Sequence, residues 1–198
     1  MTSSTVPLPV PGGSRWDRSQ GTQIAGVAAL LGGAFWMIKA AAILVTGRQP
    51  PVLFEIGPLL FASGVIGLEH LLPAPRGRVA FGSVAFATVG ALATIGALVV
   101  TKGGTAQTSE DEFSPLVFLG FIATILALLL VGIATRRSRT LRSPWHFLPL
   151  ALFISFLPLM VLGGLLESFD ERLLELPLLI LGLGWALIGY ALLTKRRG

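Results

Sequence analysis

The chain has 198 residues, of which 53% are hydrophobic and only 13% charged, with a mean hydropathy of +0.79. This composition excludes a surface that faces water throughout, and with it an ordinary soluble domain. Fifteen Lys and Arg against ten Asp and Glu leave a net charge of +5, and the lack of any cysteine excludes disulfides, thiolate metal sites and iron–sulfur clusters.

Residues 1–22 form a polar leader with Pro7, Pro9, Pro11, Gly12 and Gly13, and it lacks the apolar core of a cleaved signal peptide. Six apolar runs follow, at 23–46, 52–72, 79–101, 114–135, 145–166 and 173–194. Each has about 20 residues, enough at a rise of about 1.5 Å per residue to cross a hydrocarbon core roughly 30 Å thick. The expected fold class is an all-α integral membrane bundle of six transmembrane helices. It forms one domain over 23–194 and ends in a basic tail at 195–198. Pro158, mid-way along the fifth run, removes a backbone hydrogen bond and predicts a kink. Small residues four apart predict close helix contacts at Ala28 with Gly32, Ala29 with Gly33, Ser63 with Gly67, Ala93 with Ala97 and Gly182 with Ala186.

Basic residues resist translocation, so their distribution predicts orientation. One set of flanks holds eleven of them: Arg15, Arg18, Arg76, Arg78, Arg136, Arg137, Arg139, Arg142, Lys195, Arg196 and Arg197; the other holds three, Arg48, Lys102 and Arg172. Glu110, Asp111, Glu112, Glu167, Asp170, Glu171 and Glu175 fall on the side poor in basic residues. Both termini are therefore expected in the cytoplasm, in the inner (plasma) membrane of a bacterium, since twelve Arg against three Lys and abundant Ala, Gly and Pro suggest a GC-rich genome. The basic flanks have no interleaved aromatics and no nucleic-acid motif, so they are read as contacts to the bilayer and its anionic lipid headgroups.

Lys39 is the only charge well inside a run, where an ammonium costs roughly 2.5–3.5 kcal/mol to insert. Glu55 begins the next run from the same side and is the partner sequence order suggests, with Glu175 and Glu167 as alternatives. Trp36 lies one turn before Lys39 on the same helical face, placed to pack against a neighbouring helix or to stack on a ligand. Lys39, Glu55 and Trp36 form the candidate solute or ion site, with a structural ion pair or a lysine that snorkels toward the interface as the alternative reading of Lys39. Glu69 and His70 near the end of the second run and His146 at the start of the fifth have similar predicted depth, as a relay or as interfacial polar groups. Against a shared site, Glu69 and His70 point about 100° apart on a helix. Neither histidine has a haem motif, and no metal or other cofactor is expected. Three helix starts share an acid and then a proline, at Glu55 and Pro58, Glu112 and Pro115, and Glu175 and Pro177, which is ordinary helix-start chemistry.

No zincin helix, nucleophile elbow, phosphate loop or dinucleotide fingerprint occurs, so soluble-type catalysis has no foothold. Three functions compete. The first is translocation of a small solute, ion or proton through a charge-compensated site at Lys39 and Glu55. The second is a non-catalytic membrane subunit or scaffold that packs with partner helices or with its own copies. The third, least favoured, is a lipid-headgroup-modifying enzyme using Glu69 with His70 or His146.

Overall fold

A computed structural model describes residues 15–48, 53–73, 77–103 and 115–194. It is all-helical: α1 (Arg15–Thr46), α2 (Leu53–His70), α3 (Arg78–Gly103), α4 (Pro115–Ser138), α5 (Leu148–Glu167) and α6 (Glu175–Thr194), with single 3-10 turns at Trp145–Phe147 and Glu171–Leu174 leading into α5 and α6. Five stretches are long and apolar enough to cross a membrane: Gln20–Thr46, Arg78–Val99, Phe118–Ser138, Trp145–Glu167 and Glu171–Thr194. α2 supplies a shorter apolar stretch, Ile56–His70. Helix α1 starts eight residues before the apolar run does, because Arg15 to Thr22 carry no proline and continue the same helix.

Consecutive helices pack antiparallel, and α1 closes the ring against α6. α2 touches α1, α3, α4 and α6, which makes it the inner helix. Phe61, Ala62, Val65, Leu68 and Glu69 are all buried on it, so it presents little surface to the surroundings. α5 is the opposite case, with only 17% of its span buried against 50% for the span containing α6. Ile154, Leu157, Val161, Leu162 and Leu165 point outward from it, as Phe81, Leu92, Ile95 and Val99 do from α3. In water such a surface would associate or aggregate; in lipid it costs nothing. α5 runs unbroken through Pro158, whose ring faces outward among these residues.

Backbone-to-backbone packing of α1 on α6 depends on glycine. A Cβ at Gly33 would collide with the Gly182 carbonyl oxygen and the Ala186 nitrogen, and one at Gly189 would come within 2.6 Å of the Gly26 carbonyl oxygen. The two glycines of each helix are seven residues apart, two turns along one face. α3 and α4 meet through a reciprocal pair. A Cβ at Gly90 would lie 2.7 Å from Thr124 Oγ1, and one at Gly120 would lie 2.9 Å from Thr94 Oγ1. Each threonine hydroxyl meanwhile donates within its own helix, Thr94 to Gly90 O at 2.9 Å and Thr124 to Gly120 O at 2.8 Å. Buried Ser83 and Thr135 do the same toward Ala80 and Gly132. Back-bonding of this kind satisfies a hydroxyl where no water can reach it.

Replacing Gly33 with valine is expected to lower stability in detergent by about 1–3 kcal/mol, the usual cost of overpacking. Gly164→Ala is the control: its Cβ meets nothing within 4 Å, so the change is expected to be neutral or to stabilise by up to about 1 kcal/mol. Equal melting temperatures for the two variants would contradict the α1–α6 packing.

Candidate functional site

Lys39 lies seven residues before the end of α1, about 10 Å along the axis. Its neighbours Trp36 and Ala40 are buried, so the ammonium cannot leave the helix interface toward water on that face. It finds its counter-charge on α6. Lys39 Nζ donates to Glu175 Oε1 at 2.8 Å, with side-chain exposures of 7% and 8%. Glu175 is the first residue of α6, where the positive end of the helix dipole also favours a carboxylate. The preceding 3-10 turn fixes its position: Asp170 accepts from the Arg172 backbone N–H at 2.9 Å, and the Glu175 N–H donates to the carbonyls of Arg172 and Leu173. The Arg172 guanidinium lies over Gly47, the left-handed residue (φ 68°) that caps α1, so a cation covers the negative end of that helix.

The second oxygen of the carboxylate, Glu175 Oε2, is fully buried and has no hydrogen-bond partner among the described residues. Such atoms are rare in folded proteins and carry a penalty of about 1–3 kcal/mol or more when charged. Glu55, the partner that sequence order suggested for Lys39, lies in the first turn of α2, and its side chain is outside the described residues.

Trp36 packs edge-on against Phe61 of α2 at 5.0 Å between ring centroids, and Phe61 stacks on Trp185 of α6 at 4.4 Å. The pyrrole edge of Trp36 lies directly on Gly57, where no side chain could be accommodated. These three rings, with Pro58, Phe121 and Phe156, form much of the wall of a cavity of ≈ 30 Å³ one turn below the ion pair. Its polar lining residue, Thr124, already spends its hydroxyl proton on Gly120 O. A space this small would hold two or three waters at most, and an apolar lining keeps it dry.

The other sequence candidates sit at the opposite end of the bundle. Glu69 is buried, with Oε2 3.6 Å from Nδ1 of the exposed His70. That nitrogen is 2.7 Å from the Ile66 carbonyl oxygen, an acceptor only, so Nδ1 carries a proton and donates it there. His146 is buried with its ring against Phe147, centroids 3.9 Å apart. Among the described residues no hydrogen bond or ion pair joins His146 to Glu69 or His70, and no group of three or more His, Asp or Glu is placed to hold a metal ion. The sequence reading missed Phe61 and Trp185 as partners of Trp36. The available signal was their aromatic character at buried positions of gapless apolar runs, which does not by itself say which helices meet.

Removing one member of the pair strands the other charge, so Lys39→Met and Glu175→Gln are each expected to destabilise the protein by about 3–5 kcal/mol. The double variant is expected to regain most of this loss, since a buried pair replaced by neutral groups of similar volume is often tolerated. Additive losses in a double-mutant cycle would show that the two side chains do not depend on each other. Compared with protein-family models, curated proteins and solved structures, the chain matches none, so its function has to be argued from this geometry.

Proposed function

We propose that this is a six-pass protein of the plasma membrane with both termini in the cytoplasm, and that it moves protons or a small charged solute by way of the Lys39–Glu175 pair. The observation that carries this reading is the buried, unpartnered Oε2 of Glu175. A purely structural pair gains by satisfying both carboxylate oxygens; an open acceptor inside a membrane bundle is a place for a proton or for a donor group of a solute. A proton arriving at Oε2 neutralises the carboxylate and weakens its hold on Lys39. A solute ammonium competes for Glu175 and a solute carboxylate for Lys39. Glu55 belongs in the same site under this reading, and Glu69 with His70 forms the relay toward the cytoplasm.

The orientation rests on charge. Arg78, Arg136, Arg137, Arg139 and Arg142 lie at one end of the bundle, and Glu167, Asp170, Glu171 and Glu175 at the other. Because the chain has no cysteine, one introduced thiol reports one position. An impermeant maleimide is expected to label Ser168→Cys on intact cells and Ser143→Cys only after permeabilisation. The reverse pattern would invert the topology.

In proteoliposomes, the wild type is expected to dissipate an imposed proton gradient or exchange a charged solute, and Glu175→Gln to do so at least about tenfold more slowly. A Lys39→Met/Glu175→Gln double variant that folds and retains the wild-type rate would refute the site. A second reading, a membrane subunit or scaffold, draws on the dry apolar cavity beside the pair. If wild-type vesicles leak no faster than protein-free ones for protons and charged solutes, that reading takes precedence, and crosslinking should then recover a stoichiometric partner.

A further inference from the structure

The arginine-bearing end of the bundle contains an open cleft of ≈ 210 Å³, far from the Lys39–Glu175 pair. Its walls come from the turn after α2 (Leu72 and Pro73), the start of α3 (Gly77, Val79 and Ala80) and the last turns of α4 (Ile133, Ala134, Arg137 and Ser138). The lining is amphipathic. Leu72, Val79 and Ile133 supply an apolar floor, and Arg137 supplies a guanidinium at the rim. Ser138 Oγ already donates to Ala134 O at 2.8 Å, so the free donors in the lining belong to Arg137. Arg78 sits in sequence between two lining residues, Gly77 and Val79, and Arg136 directly precedes Arg137. No carboxylate forms an ion pair with Arg78, Arg136 or Arg137 among the described residues.

We propose that this cleft is a specific site for one anionic phospholipid, with its phosphate on Arg137 and the upper part of an acyl chain or its glycerol ester against Leu72, Val79 and Ile133. Three features select that ligand. A guanidinium with no acidic partner recognises phosphate in a fork geometry that an ammonium lacks. The apolar floor continues into the lipid-facing surface of α3, where Phe81 is exposed, so a chain can follow the headgroup into the bilayer. The cleft also lies at the last turn of the apolar stretch Phe118–Ser138, a position that corresponds to headgroup depth for a helix spanning the bilayer. A soluble phosphate ester would use only the guanidinium, and a zwitterionic lipid would bring a choline cation to an end already crowded with arginines. The proposal is independent of transport and of which side of the membrane this end faces.

The test uses full-length protein in a neutral maltoside detergent, titrated with phosphatidylglycerol, phosphatidylcholine or glycerol 3-phosphate, and read by native mass spectrometry and by thermal shift. Phosphatidylglycerol is expected to bind one per chain and raise the melting temperature more than phosphatidylcholine does. Arg137→Gln should weaken it about fivefold, the effect of one basic contact at the surface. Arg142→Gln, at the same end but outside the cleft, should change it less than about twofold, and Ala134→Phe, which fills the cleft, should abolish the stoichiometric adduct. Equal losses for the Arg137 and Arg142 variants would overturn the proposal in favour of diffuse attraction. Glycerol 3-phosphate binding as tightly as the lipid would also overturn it, because the site would then be one for free phosphate esters.

Discussion

An ammonium inside a membrane bundle has to be answered by a fixed negative charge, and Glu175 can answer Lys39 only because α1 and α6 approach backbone to backbone. The 2.8 Å contact spans 136 positions in sequence. It exists because Gly33 and Gly182 leave no side chain between their helices, and because Gly26 and Gly189 hold the same register two turns further on. Without a hydrophobic force between helices in lipid, packing of this kind and the ion pair itself are the available glue. The α1–α6 contact also closes the ring of helices, so it forces α2 inward. That is why Trp36, Phe61 and Trp185, from three different helices, meet as one aromatic cluster directly beneath the pair.

The two ends of the bundle then differ in kind. At the acidic end, charges are organised. Asp170 caps the turn into α6, Arg172 covers the end of α1, and Glu175 is held on Lys39. At the other end the arginines have no carboxylate to hold them among the described residues; Arg136 stands 5.6 Å from the ring centroid of Phe147, and Arg139 occupies a left-handed conformation (φ 48°) just after α4. The charges of one end are thus fixed by partners within the fold, while the arginines of the other carry no ion pair among the described residues.

The helices were legible in the sequence because each apolar run is bounded by charge, proline or glycine, and those boundaries survive whatever the helices pack against. The pairing of helices was not. Gly33 and Gly182 were visible as members of small-residue spacings, but Ala28 with Gly32 had the same spacing, and periodicity cannot say which face meets α6. The reciprocal Gly90–Thr94 and Gly120–Thr124 contact went unread because threonine is counted as polar until its hydroxyl is seen turned back on its own helix. Glu175 was grouped with Glu55 and Glu112 as one of three acidic helix starts. Its burial against Lys39 is a property of the α1–α6 interface, which no local pattern contains.

The unpartnered oxygen has a local cause that bears on its use. The first turn of a helix normally offers free amide donors, and a carboxylate there commonly takes one. In Glu175-Leu176-Pro177 the proline carries no N–H, and the Glu175 amide is already spent on Arg172 and Leu173. Glu175 therefore has fewer donors within its own turn than an acid at a helix start usually finds, and its second oxygen stays open. Had the pair been needed only to hold α1 on α6, a methionine and a glutamine or leucine would serve at lower desolvation cost. Keeping two charges buried, with one acceptor left open by the proline beside it, costs stability without adding packing. That expense is intelligible if a proton or a donor group occupies Oε2 during part of the protein's working cycle.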